Sequence, residues 1–328
     1  MKNELKSQSI LVTGGHGFIG SHLIKKLLSE GAHVSILAKK HANLWRLKTI
    51  LKDIKIWNGD ITDTVQVQKI IERTQPDYLF HLVADSGHSL QSNSISKIQT
   101  NIMGTANIME AVRLVGCKKV VNLGSSSEYG MSKTPIHENT LLNPQDLYGM
   151  TKAAATQIAH YIALKNKINI VTLRPFNIFG EGAPTGNLFS YIISQLIQDK
   201  EVFLSECIQT RDYCYIENII TGLILAATNK KIKNEIFNIG SGKSYPLKYF
   251  VEKIFQHFDS QKRPQYGSIS YSSNERMEVP SDISKIKKIL EWEITIPLEK
   301  GIQKTIEWYK NNQDWYLSNT EKIIKRNN

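Results

Sequence analysis

Four glycines within seven residues constrain this chain more than any other feature. They stand in Thr13-Gly14-Gly15-His16-Gly17-Phe18-Ile19-Gly20, directly after an apolar run at 9–13 and before helix-spaced Leu23, Ile24, Leu27 and Leu28. The pattern predicts a strand, a tight turn and a helix over 20–29. Glycines at Gly15, Gly17 and Gly20 let the chain turn sharply, let its backbone approach a pyrophosphate, and let the helix pack close to a sheet. An ordinary glycine-rich turn would carry the same letters, so the weight falls on what surrounds it.

The same alternation recurs downstream. Gly31 reads as a helix stop and 33–38 as a parallel partner strand. Further strands are expected at 54–57, 78–83, 120–123 and 169–173, with helices at 65–72, 105–115 and 150–164. Parallel strands need long crossovers that cover both faces, so repeated units of this length predict an α/β chain with a doubly wound parallel sheet. After Pro175 the rhythm breaks at Gly180, Gly182, Pro184 and Gly186. A helix over 188–197, an apolar segment at 215–227, a strand at 235–239 and helices at 247–258 and 298–310 follow. The expected layout is a dinucleotide-binding domain over 1–175, a smaller α/β substrate lobe over 176–320 interleaved with it, and a basic tail over 321–328. A length of 328 residues suits one large domain with an appended lobe.

Composition excludes several other readings. The formal charge of +11 arises from 41 Lys and Arg against 30 Asp and Glu, but these cluster only in the tail and lie in no nucleic-acid-binding module. No nucleic-acid partner is expected; attraction of anionic substrates and cofactors is the sharper use of the charge. Cys117, Cys207 and Cys214 lack metal-ligand spacing, so no metal is expected and a reducing compartment is. The polar N-terminus resembles no signal peptide and no window reaches the ~20 apolar residues of a membrane span, so the expectation is a cytoplasmic protein.

Where an acid would meet the ribose hydroxyls of NAD, the sequence reads Leu37-Ala38-Lys39-Lys40. Lys39, Lys40 or Arg46 could hold a 2′-phosphate there, which favours NADP over NAD. Asp60 and Ile61, after the third strand, are placed to meet an adenine edge. Tyr148 and Lys152, four apart at the start of the helix over 150–164, share a face. A phenol is a poor acid or base near neutral pH until a neighbouring ammonium stabilises its anion, and that is the physical use of the pair. Ser125 or Ser126, at the carboxyl edge of the fifth strand, could donate to the oxygen of a reacting alcohol or carbonyl.

Thr13 to Gly20, Asp60, His81-Leu82-Val83-Ala84, Asn101 with Gly104-Thr105, Ser125-Ser126, Tyr148 to Lys152 and Arg174-Pro175-Phe176-Asn177 occur in an order that resembles the extended short-chain dehydrogenases/reductases, the nucleotide-sugar epimerase/dehydratase family. Arg211-Asp212-Tyr213, Phe237 to Gly242, and Arg276 followed by Asp282, Lys285 and Trp292 extend the likeness over nearly the whole chain. The resemblance implies a Rossmann fold and a nucleotide-diphosphate sugar as substrate. It implies cofactor contacts from Gly14, Gly17, Phe18, Ile19, Gly20, Leu82, Ala84, Asn101, Tyr148 and Lys152. It further implies that Asn177, Arg211 and Arg276 bind the substrate's diphosphate, and that helices near 105–115 and 150–164 form a homodimer.

Three reactions share such a scaffold. A 4,6-dehydratase of this family keeps an acid and a base at the positions of Ser126 and Ser127, neither of which exchanges a proton at neutral pH. Glu128 lies one residue out of register, on the opposite side of an extended chain. The missing acid after the second strand, together with Gly-Ser-Ser-Ser-Glu-Tyr-Gly and Arg-Pro-Phe-Asn, looks more like the 4-keto-6-deoxy-sugar reductases than the 4-epimerases. The expectation is therefore an NADPH-dependent reductase of a nucleotide-linked 4-keto sugar, with an NAD-dependent 4-epimerase as the alternative. Asp85, Ser86, Ser127 and His88 are expected to line the sugar pocket. A non-catalytic NADP-binding regulatory protein is the reading from another class, opposed by the joint presence of Ser125, Tyr148 and Lys152.

Overall fold

Apolar triplets such as Ile10-Leu11-Val12 are buried on both faces, as the inner strands of a sheet covered on each side by helices must be. The computed structural model describes residues 4–86, 92–271, 275–313 and 316. Its main sheet has seven parallel strands: β1 (Ser9–Thr13), β2 (His33–Ala38), β3 (Lys55–Asn58), β4 (Tyr78–His81), β5 (Lys119–Leu123), β6 (Ile170–Pro175) and β10 (Glu235–Ile239). The spatial order is β10-β6-β5-β4-β1-β2-β3.

Side chains on a strand alternate between faces, and the two cores divide accordingly. Ile10 and Val12 join one core, Leu11 the other; Phe80 and Leu79, and Val171 and Ile170, part in the same way. Helices α1 (Phe18–Ser29) and α7 (Ile216–Thr228) cover the first face. Helices α2 (Thr64–Thr74), α4 (Gly104–Val115) and α5 (Leu147–Lys165) cover the second. A short helix α3 (Ser94–Lys97) runs through one wide turn at Ile98–Met103 into α4.

The segment beyond residue 175 supplies β10 to the main sheet and builds a mixed three-stranded sheet of its own. There β9 (Thr210–Tyr215) pairs parallel with β7 (Asn177–Phe179) and antiparallel with β11 (Ser244–Pro246). Helices α6 (Leu188–Ile197), α8 (Leu247–Phe255), α9 (Ser284–Leu290) and α10 (Leu298–Asn311) pack around it, and β8 (Val202–Phe203) pairs with β12 (Pro264–Gln265). Among the described residues no helix is long and apolar enough to cross a membrane. The tail over 321–328 and His88 lie outside the described residues.

Most expected elements fall within a few residues of their positions. The clearest shift is α5, which starts at Leu147 because the Asp146 carboxylate accepts the Gly149 amide at 2.6 Å and caps the first turn. Tyr148 is thereby helical and in phase with Lys152. A 3₁₀ segment at Trp45–Asp53 had no counterpart in the sequence reading.

Candidate active site at the carboxyl edge of the sheet

The glycine turn needs its glycines at two points. Gly14 has φ +71°, and a Cβ there would lie 2.7 Å from the Val83 amide nitrogen; a Cβ on Gly20 would lie 2.3 Å from the Gly14 carbonyl oxygen. Helix α1 therefore starts flush against the sheet, and its Gly17 N-cap has no side chain over the first amides. Those free amides suit a pyrophosphate. Beside them runs a cleft of about 630 Å³ walled by Gly14, His16, Leu37 to Ala42, Gly59, Ile61, Val83 to Ser86 and Thr100. Its size and its open helix terminus fit the adenosine half of a dinucleotide. Ile61 is buried against Gly104 and forms part of the wall, while Phe18, Ile19 and Leu82 pack on the first core with their backbones at the turn.

Three cofactor expectations change in this cleft. Lys39 is engaged by Asp60, Nζ to Oδ2 at 3.0 Å. Burial pushes the Asp60 carboxyl up, but the Thr62 amide and the Lys39 ammonium outweigh it and hold it below its ordinary value. Lys39 shares its charge with Asp60 and, with its side chain still exposed, lines the cleft beside Lys40 and His41. Arg46 is absent from this wall: its Nε donates to the Gly182 carbonyl at 2.8 Å and its guanidinium lies 4.2 Å over the Trp45 ring, facing a different cleft. Asn101 is buried and locked inward, accepting the Asp85 amide at 2.7 Å and donating to Thr151 Oγ1 at 2.9 Å. It shapes the loop over the cleft by holding Asp85. Asp85 and Ser86, expected in a sugar pocket, wall the dinucleotide cleft, and the Asp85 carboxylate accepts from Ser96 at 2.8 Å.

At the end of β5, Ser125 leaves the sheet and opens a 3₁₀ turn over Ser126–Glu128. The chain is thus coiled where the sequence reading placed an extended segment, and Glu128 turns inward. Its carboxylate is fully buried, accepting from the Ser125 amide at 2.9 Å, Thr156 Oγ1 at 3.0 Å and Arg174 Nε at 2.8 Å. Arg174 also donates to Tyr129 Oη at 2.8 Å, and that phenol donates to Asn238 Oδ1 at 2.8 Å. This buried chain fixes the turn that presents Ser125. Nothing in the local sequence distinguishes it, because its partners come from β6 and β10.

The Tyr148 phenol has the Ser125 side chain beside it. Burial pushes it up to about 12, against the Ser125 contact and the Arg276 guanidinium, which both ease ionisation. Lys152 is buried and its Nζ donates to the Leu123 carbonyl at 2.5 Å. Burial lowers its pKa, opposed by Glu128. The sequence reading set the ammonium beside the phenol; here the phenol meets a hydroxyl, and the ammonium is anchored to the strand with two of its three hydrogens left for a ligand. Ser126 and Ser127 are buried in the turn, Ser127 through its amide on Ser125 Oγ at 3.1 Å.

The second lobe brings Asn177, Arg211 and Arg276 toward this edge with different degrees of freedom. Asn177 Nδ2 donates to the Asp212 carbonyl at 3.2 Å. Arg211 pairs with Glu275 and donates to the Thr210 carbonyl. Arg276 Nη1 is buried with no partner among the described residues. Asp212 serves the fold, accepting the Ser241 and Gly242 amides at 2.6 and 2.9 Å.

His81, a residue the sequence reading used only as part of a motif, is buried between Thr13 Oγ1 at 2.8 Å and Thr105 Oγ1 at 2.9 Å. Burial, with Lys152 adding to it, drives its pKa down to about 3. The unfolded chain would protonate this ring near pH ~6.5 while the native state leaves it neutral. Its contribution is therefore intact above pH ~6.5 and is lost as pH falls toward about 3. Between pH 7 and pH 5 the expected loss from His81 is about 2 kcal/mol. Denaturant unfolding of the parent and His81→Asn at both pH values measures it; equal pH slopes in the two proteins would refute it.

A sequence profile described as the NAD dependent epimerase/dehydratase family matches residues 10–240. The chain is 29% identical over 317 residues to a UDP-glucuronate 4-epimerase of Thermodesulfobacterium geofontis, covering 92% of this chain and 96% of that one. Among solved structures it is similar to a UDP-glucose 4-epimerase of Thermotoga maritima crystallised with UDP-glucose, with TM-score 0.86, 25% identity and coverage of 93% and 99% of the two chains. It shares its fold with a dTDP-glucose 4,6-dehydratase of Bacillus anthracis in complex with NAD, with TM-score 0.84, 24% identity and coverage of 94% and 98%. The glycine turn, the Ser125, Tyr148 and Lys152 edge and the profile match agree, and the chain belongs to the NAD-dependent epimerase/dehydratase family of extended short-chain dehydrogenases/reductases.

Proposed function

We propose that the protein is an NAD-linked 4-epimerase of a nucleoside-diphosphate hexose. Ser125 beside the Tyr148 phenol and the anchored Lys152, on a turn whose one acid, Glu128, is engaged in the core, carries this reading. Lys152 would use its two remaining hydrogens on the cofactor ribose. A bound oxidised nicotinamide supplies a hydride acceptor and a positive charge that lowers the pKa of the phenol. Tyr148 takes the proton from the sugar O4 at its Oη while Ser125 donates a hydrogen bond to the same oxygen. The same phenol returns the proton after the ring has turned its other face. Arg276, whose buried Nη1 has no partner among the described residues, is the natural partner for a diphosphate oxygen. Elimination of water is disfavoured, because Ser126 and Ser127 exchange no proton and both Glu128 oxygens are occupied within the core.

The expected reductase rested on the absent acid after β2 and on Lys39 as a 2′-phosphate ligand. Pairing of Lys39 with Asp60 weakens that argument for NADP, and the relatives named above are epimerases and a dehydratase. Reduction of a 4-keto nucleotide sugar stays as the second reading, favoured by Lys40 and His41 on the cleft wall. The outer faces of α4 and α5 leave Leu114, Met150, Tyr161 and Leu164 exposed, which supports a homodimer through these helices. One native mass spectrum of the purified protein tests both points. A dimer retaining one NAD per chain is expected; a monomer would remove the interface, and NADPH in place of NAD would turn the assignment to the reductase.

A further inference from the structure

We propose a second ligand site, for the phosphates of a nucleoside di- or triphosphate, in a cleft between α1, the 3₁₀ segment Trp45–Asp53 and α10. The cleft measures about 570 Å³ and shares no lining residue with the dinucleotide cleft. His22 and Lys25 of α1, Arg46 and Lys48 of the 3₁₀ segment, and the indoles of Trp45 and Trp308 line it.

The charge in this cleft is unbalanced. Arg46 is partly buried, and burial drives its pKa down to about 10, yet the groups that oppose the shift are the phenols of Tyr309 and Tyr316, which are neutral near pH 7. Among the described residues no carboxylate forms an ion pair with Arg46, Lys25 or Lys48, although Glu181 lies close enough to Lys25 to favour its ammonium. Among the described residues the one acid lining the cleft is Glu181, whose Oε1 accepts from the Tyr215 phenol and whose Oε2 is buried with no partner. A guanidinium held over an indole, with its Nε fixed on the Gly182 carbonyl, presents its remaining nitrogens to an anion in a set orientation.

The ligand class follows from these groups. Three cations around one opening match several phosphate charges. Gly182, with φ +69°, brings the Trp45 and Trp308 rings together, since a Cβ on it would lie 3.3 Å from one and 3.7 Å from the other. The half-buried Trp308 ring offers a flat surface for a base.

Equilibrium dialysis of labelled ATP against the full chain, with NAD at saturating concentration, reads the site. One NAD-resistant ATP per chain is expected, displaced by excess pyrophosphate. Lys25→Glu with Lys48→Glu, both on the surface, should weaken that binding at least about tenfold with the unfolding midpoint unchanged. Trp308→Ala should weaken ATP and leave pyrophosphate as it was. Displacement of all ATP by NAD, parental affinity in the double variant, or binding of pyrophosphate without ATP would each overturn the proposal.

Discussion

Tyr148→Phe is expected to lower kcat for interconversion of a nucleoside-diphosphate hexose by about 10²–10⁴-fold, with KM and retention of NAD unchanged. The phenol lies on the first turn of a capped helix, so removing one oxygen leaves its ring and the packing of α5 in place. What disappears is the phenol hydroxyl beside Ser125, the proton carrier of the proposed reaction. Burial holds the phenol near 12 in the free protein, so the group stays protonated and cannot take a proton until a positive charge beside it favours the phenolate. Activity of the parent should therefore depend on NAD occupancy more steeply than substrate binding does. Lys152→Met separates the roles: it removes the anchored ammonium and should reduce both NAD retention and kcat. Steady-state kinetics with UDP-glucose and UDP-galactose, beside cofactor release after denaturation, provide the readout. Turnover of Tyr148→Phe within about twofold of the parent would sink the assignment of the proton carrier, and unmeasurable turnover in a parent that holds cofactor would favour the regulatory reading.

The parts of this site that were legible in the sequence are those specified by local pattern. Alternating faces of the strands, the glycine turn and the four-residue spacing of Tyr148 and Lys152 need only neighbours along the chain. Partnerships between distant segments were not legible. Lys39 read as a free cation because Asp60, 21 residues on, reaches it only once β2 and β3 pair. Arg46 read as a cofactor ligand because the 3₁₀ segment that carries it away has neither helical periodicity of usual length nor strand alternation. Ser125 and Ser126 were interchangeable by position, and only the 3₁₀ turn, set by Glu128, decides that Ser125 meets the phenol.

Glu128→Gln is the stability counterpart. The amide retains an acceptor for the Ser125 and Thr156 donors and nearly the same shape, so the chief loss is the charge opposite Arg174. Arg174 is 3% exposed, and stranding a buried guanidinium costs about 3–5 kcal/mol. A chain that unfolds with ordinary margins would lose a large fraction of its stability. Arg174→Met with Glu128→Gln should recover much of that loss, because no unpaired charge is left, although Tyr129 then loses its Arg174 donor. Urea unfolding of the four proteins gives the coupling directly. A single variant within about 0.5 kcal/mol of the parent would show that the ion pair is incidental. If the double variant regains stability while kcat stays depressed, the pair's second task becomes visible: it holds the turn that aims Ser125 at Tyr148, a positional demand that an apolar replacement satisfies for the core and fails to satisfy for the reaction.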